Sequence, residues 1–142
     1  MLNYIWPIAL VVASNVVYQI CAKSLPGNIN PFASLTVTYI IAAAASAGLF
    51  FATAHGASLA AEYTKLNWVP FVFGVVLVGL EAGFIYAYKV GWQISTASIV
   101  QSAFLAVALL FVGFLLYKES ITPNKIIGLI VCLAGLFIIN RQ

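Results

Sequence analysis

The stretch VVLVGLEAGFIYAYKVG, residues 75–91, sets one carboxylate, Glu81, in a long apolar run. Upstream, WVPFVFG is equally apolar, so the run from Trp68 to Tyr88 has the length and composition of a membrane-spanning helix, which needs about 20 mostly apolar residues. Glu81 is the fourteenth residue of that run and lies deep within it. A charged side chain at mid-bilayer costs roughly 2.5–3.5 kcal/mol on insertion scales. Such residues face a bundle interior or a wet cavity. A carboxyl held there can bind a proton, or a cation in its place. The alternative is a structural, protonated Glu hydrogen-bonded to a neighbouring helix.

The rest of the chain has the same character. Of 142 residues, 64% are apolar and 6% charged, against about 25% charged in soluble domains. Four further runs have span-like composition, giving five in all: about 4–22, 32–53, 68–88, 96–117 and 125–139. They predict an all-α integral membrane protein, a single five-span domain over residues 1–142. Backbone groups in lipid must bond within the protein, and the runs lack the alternation of barrel strands. The first run has no basic region before it and no small-residue cleavage site after it, so it reads as a retained span. The connector AHGASLAAEYTKLNW holds His55, Glu62 and Lys65 and is a candidate for a short surface helix. In the turn KESITPNK, Thr122 has the chemistry of an N-cap and Pro123 that of a first helical residue. Tyr4, Trp6, Trp68, Trp92 and Tyr117 lie near span ends, as interfacial aromatics do.

Five spans put the termini on opposite sides. Lys65, Lys118 and Lys125 then fall on one side, and Lys23, Lys89 and Arg141 on the other. Loop charge orients membrane proteins, and here the count is balanced. Such a chain can insert both ways up, and two opposed copies would make a ten-helix pair. A single orientation, fixed by something other than this count, is the alternative.

Polar residues recur at helical spacing. Asn15, Tyr18 and Gln19 share a face of the first span, and Ser98, Gln101 and Ser102 a face of the fourth. Tyr88 lies seven residues after Glu81, and Gly74 seven before it. Each of these polar residues can be interhelical glue. Together they outline a polar cavity in which Glu81 is the ionisable group at depth. Gly79 and Gly83 form a small-xxx-small pair, with Gly79 about 200° round the helix from Glu81, which predicts a close-packing face behind the acid. Lys89, about 12 Å further along, is expected to snorkel to the interface and not to pair with Glu81. Cys21 and Cys132 read as small buried apolar residues. The basic residues are scattered, which leaves no footprint for nucleic acid. No phosphate loop, nucleophile elbow or metal-ligand cluster is present, so the chain reads as a non-enzyme, with no cofactor and no metal implied.

The segment GFLLYKESITPNKIIGLIVCLAGLFIIN, residues 113–140, resembles the last two helices of the drug/metabolite transporter superfamily. That superfamily includes EamA-like proteins and the small multidrug resistance transporters. An acid, Glu119, ends the penultimate helix, a short turn follows, and the last helix carries Gly128 and Gly135 seven apart. The resemblance continues upstream through YKVGWQISTASIVQSAF and more weakly into the first span. It implies one half of an inverted-repeat ten-helix transporter, working here as an antiparallel homodimer with Gly128 and Gly135 packing the dimer. It also implies a multi-pass protein of a bacterial-type inner membrane that moves a small molecule, with proton- or cation-coupled export. Substrate and proton would be bound by Glu81, Asn15, Tyr18, Gln19, Tyr88, Ser98, Gln101 and Ser102. The small multidrug transporters carry an essential Glu eight residues before a Lys in the first span. Here that place holds Asn15, and Gln101 stands where they have a Trp, so their antiport chemistry does not carry over. A flippase for a lipid-linked sugar and a non-transporting membrane scaffold subunit remain the alternatives.

Overall fold

The computed structural model describes residues 2–54, 56 and 58–139, and the described residues are helical with connecting turns. His55 and Arg141, and the side chain of Tyr4, lie outside the described part. Six helices follow one another: α1 Leu2–Ser24, α2 Pro31–Thr53, α3 Leu59–Tyr63, α4 Val69–Lys89, α5 Ile94–Tyr117 and α6 Pro123–Ile139. Helices α1, α2, α4 and α5 are long and apolar enough to cross a membrane, and α6 is a shorter apolar helix. At 17 residues, α6 measures about 25 Å against a hydrocarbon core of about 30 Å. The protein is thus an all-α membrane protein with five apolar helices, and α3 is the short helix expected in the connector.

Local chemistry sets the boundaries. Asn30 caps α2, its side chain accepting the Phe32 amide at 2.9 Å, and Pro31 takes the first helical position, where a missing N–H costs nothing. Asn67 accepts the Val69 amide at 3.0 Å as α4 begins. α4 stops before Gly91, whose φ of 103° lies in a region open to glycine. α5 stops at Lys118, a non-glycine residue with φ 53°. The amides of Lys118 and Glu119 both return to the Gly113 carbonyl, closing the end of the helix. Pro123 is the first residue of α6, and the Thr122 carbonyl accepts the amides of Lys125 and Ile126. Trp6, Trp68, Trp92 and Tyr117 are exposed near helix ends, the place that interfacial aromatics occupy.

The chain divides into two compact units, one up to Val90 and the other from Gly91. In the first, α4 packs against both α1 and α2. Its core joins Leu35 of α2 to Ala82 and Ile85 of α4, with Leu25, Tyr39 and Val78 packed against it. In the second unit α5 packs on α6. Much of the large apolar surface of both units is exposed, as it is when lipid is the solvent and helices need not hide their apolar faces.

Two expectations are corrected. Cys21 and Cys132 are both exposed, because thin helical units bury few positions. Among the described residues, a Cβ built on Gly79 or Gly83 would meet no atom within 4 Å, so that face is not closely packed. As expected, Lys89 is exposed at the helix end and, among the described residues, does not pair with Glu81. Its ammonium donates to the carbonyls of Gly27 (3.1 Å) and Ile29 (2.5 Å), since the end of α4 lies beside the α1–α2 turn, where carbonyls lack helical partners.

Candidate functional site

Glu81 sits on α4 about 18 Å from the start of the helix and about 12 Å from its end, partly buried between α1 and α2. Two phenols approach it. Tyr18 comes from α1 and Tyr39 from α2, and both interact electrostatically with the Glu81 carboxyl. The Tyr39 hydroxyl points toward that carboxyl without meeting the geometry of a full hydrogen bond. Both hydroxyl oxygens are buried and, among the described residues, without a hydrogen-bond partner. Buried hydroxyls nearly always find partners. Two orphans beside one acid mark a site built to receive something.

A pocket of about 120 Å³ opens at this point, and Tyr18, Cys21, Ser34, Thr38 and Glu81 supply its polar wall. Leu25, Leu35 and Ile85 are among its apolar lining. The register follows from helix direction. α1 and α4 run side by side toward the same end, so Tyr18 meets Phe84 edge-on at 5.9 Å and Gln19 meets Tyr88 one turn on. α2 runs the opposite way from that end, so its first turns, carrying Ser34, Leu35 and Thr38, face Ile85 and Glu81.

Toward the end of the pocket, Tyr88 donates a hydrogen bond to the side-chain oxygen of Gln19 at 2.5 Å. Gln19 is only 4% exposed and Tyr88 6%, so this is a buried polar link between α1 and α4. Lys23 lies over the Tyr88 ring, its ammonium 5.4 Å from the ring centre. A second pocket of about 120 Å³ follows, lined by Lys23, Gly27, Tyr88 and Lys89 and sharing Ala22, Leu25 and Ile85 with the first.

Four expected site residues therefore come together: Tyr18, Gln19, Glu81 and Tyr88. Asn15 is exposed on α1 and does not line either pocket. Ser98 and Gln101 are half-buried and Ser102 exposed, all on α5 of the second unit, with Ser102 donating to Gln101 at 3.5 Å. Gly74, Gly128 and Gly135 meet nothing within 4 Å of a built Cβ, so their faces are open in a single copy. The residues that sequence reading passed over are Ser34, Thr38 and Tyr39. Ser34 and Thr38 have the same i, i+4 spacing as the stripes found elsewhere, but sit in a span whose alanine run drew attention instead.

The sequence model of the EamA-like transporter family matches residues 2–141. Neither a curated protein nor a solved structure matches the chain.

Proposed function

The chain belongs to the EamA-like transporter family, and from that premise we propose that it carries a small molecule across the inner membrane through the pocket at Glu81, as an antiparallel homodimer. The observation that carries this reading is the acid itself: Glu81 at mid-helix, with two buried, unpartnered phenol hydroxyls beside it. An uncompensated polar cluster at that depth is costly, and a proton or cation passing through it supplies the missing partner. Export is then coupled to proton or cation movement at Glu81, and alternating access is one half rocking on the other.

Two further points support the dimer. At about 120 Å³, the pocket is small beside the roughly 300–1,000 Å³ of ordinary ligand sites, so a second copy would enlarge it. The balance of Lys65, Lys118 and Lys125 against Lys23, Lys89 and Arg141 suits insertion in both orientations. Ser98, Gln101 and Ser102 are assigned to the same path, and Gly128 and Gly135 to the contact between copies.

The test is flux in reconstituted vesicles, screened over small metabolites and cations, for wild type against Glu81→Gln. Solute-driven, pH-dependent flux that the substitution strongly lowers is the expected result; the same flux in both proteins removes Glu81 from the coupling step. A topology reporter fused to the C-terminus should give signal from both sides of the membrane, and signal from one side alone excludes the antiparallel pair. A second reading, transbilayer movement of a lipid-linked sugar, is favoured by the outer pocket, where Lys23 and Lys89 stand at the helix ends. Movement of a labelled glycolipid between leaflets, lost in Lys23→Gln/Lys89→Gln, would select it.

A further inference from the structure

The hydrogens around Glu81 can be counted. Ser34 donates its hydroxyl hydrogen to the Pro31 carbonyl at 2.8 Å, and Thr38 donates to the Ser34 carbonyl at 3.1 Å. Both oxygens can therefore only accept toward the pocket. Glu81 in its ionised form accepts only. The Tyr18 phenol, which lines the pocket, has no hydrogen-bond partner among the described residues and keeps both its hydrogen and its lone pairs for a ligand. Helical backbone amides are spent within their helices. No lysine, arginine, asparagine or glutamine is among the residues lining this pocket. The wall is thus one carboxylate, two accepting hydroxyl oxygens, the Tyr18 phenol and the weakly donating Cys21 thiol, drawn from three helices, with no basic group to hold an anion. The remainder is apolar: Ala22, Leu25, Leu35 and Ile85.

We propose that this pocket binds a small alkylammonium ion, its N–H groups on Glu81 and the hydroxyl oxygens and its short carbon chain against Leu35 and Ile85. An ammonium brings a positive charge and up to three donors to a wall of one carboxylate and accepting hydroxyl oxygens. An alcohol of the same size brings one donor and no charge. A carboxylate brings no donor and meets Glu81 as a like charge. The volume of about 120 Å³ equals about four water molecules' share of liquid, which suits a headgroup and a few carbons. This inference rests on the reading of the Glu81 pocket as the transport site, and names the class of solute held there.

Cys21 lines the same pocket, so its rate of alkylation by a maleimide reports occupancy without any flux. The experiment uses the full chain in nanodiscs with Cys132→Ser, and compares propylammonium, 1-propanol and propionate at equal concentration. Propylammonium should slow Cys21 alkylation roughly tenfold at saturation, and the other two should leave it unchanged. Glu81→Gln should remove the protection. A thermal-unfolding series on the wild-type protein reads the same binding without the thiol: propylammonium should raise the midpoint and propionate should not. Protection by 1-propanol or propionate equal to that by propylammonium, or neither protection nor a midpoint shift with propylammonium, overturns the proposal. Protection by propylammonium without flux in vesicles would sink the transport reading and leave the binding site standing. Solute flux that needs Glu81, with no effect of propylammonium on Cys21 or on the midpoint, would do the reverse.

Discussion

The two units of this chain bury different things. In the first, the buried side chains include Gln19, Ser34 and Tyr88, and a tyrosine–glutamine hydrogen bond joins α1 to α4. In the second, the buried positions on α5 are Ala97, Ala103 and Gly113, all small. Small residues let helix backbones approach and gain dispersion energy in lipid, where no hydrophobic drive pushes helices together. Buried polar groups gain less than their cost of desolvation suggests, because the alternative partners in the membrane are also within the protein. The first unit accordingly carries a chemical site on its interhelical surface, whereas the second is a hairpin whose described charged side chains gather at the turn.

The largest effect that would sharpen this contrast is on transport. Glu81→Gln should lower flux by roughly 10- to 100-fold, the factor that corresponds to losing one charge-assisted contact, while leaving the unfolding midpoint of the protein nearly unchanged. A comparable loss of flux from a substitution confined to the α5–α6 turn, such as Lys125→Gln, would break the assignment of the chemistry to the first unit.

Next in size is Tyr88→Phe, which removes the donor to Gln19. Stability should fall by about 0.6–1.7 kcal/mol, the range of interhelical hydrogen bonds in membranes, read by chemical unfolding in mixed micelles. Gln19→Leu should cost a similar amount, and the double substitution should cost less than the two added together. Simple additivity would mean that the two residues do not act as a pair.

In the second unit the informative changes are at the turn. Lys118 holds a left-handed conformation that costs an ordinary residue about 1 kcal/mol. Lys118→Gly should therefore stabilise the protein by up to about 1 kcal/mol, with no effect on Cys21 protection. Smallest is Gly113→Ala. A Cβ there would lie 3.2 Å from a Glu119 carboxylate oxygen, the end of a flexible side chain that is also 3.5 Å from Lys125. The expected cost is a few tenths of a kcal/mol, within the range of surface changes, and Glu119→Ala should abolish it. A larger loss would show that the turn is more tightly built than its exposed ion pair suggests, since such pairs contribute about 0–1 kcal/mol.

The candidate site was legible in part. Glu81 stands out in any reading because one carboxylate in an apolar run is a local anomaly. Tyr18, Gln19 and Tyr88 could be placed on helix faces by the 3.6-residue period. Their neighbours from α2 were not legible, since Ser34, Thr38 and Tyr39 matter only through the way α2 is rotated against α4. Asn15 illustrates the same limit from the other side: it shares a stripe with Tyr18 and Gln19, yet one turn further along α1 it is exposed.

Sequence by itself determined that this is a helical membrane protein with five apolar helices, about where each lies, and which residue stands as an acid deep in its run. These are properties of single segments, set by hydropathy over about 20 residues and by proline, asparagine and glycine at the turns. Tertiary structure decided which acceptors surround Glu81, that two phenol hydroxyls beside it lack partners, that Gln19 joins Tyr88, and that Lys89 is held by the α1–α2 turn. Those outcomes depend on how helices are rotated and set against one another. In lipid that choice is made by packing and polar contacts between faces rather than by the burial of an apolar stripe, and apolarity all round a helix leaves its orientation unwritten.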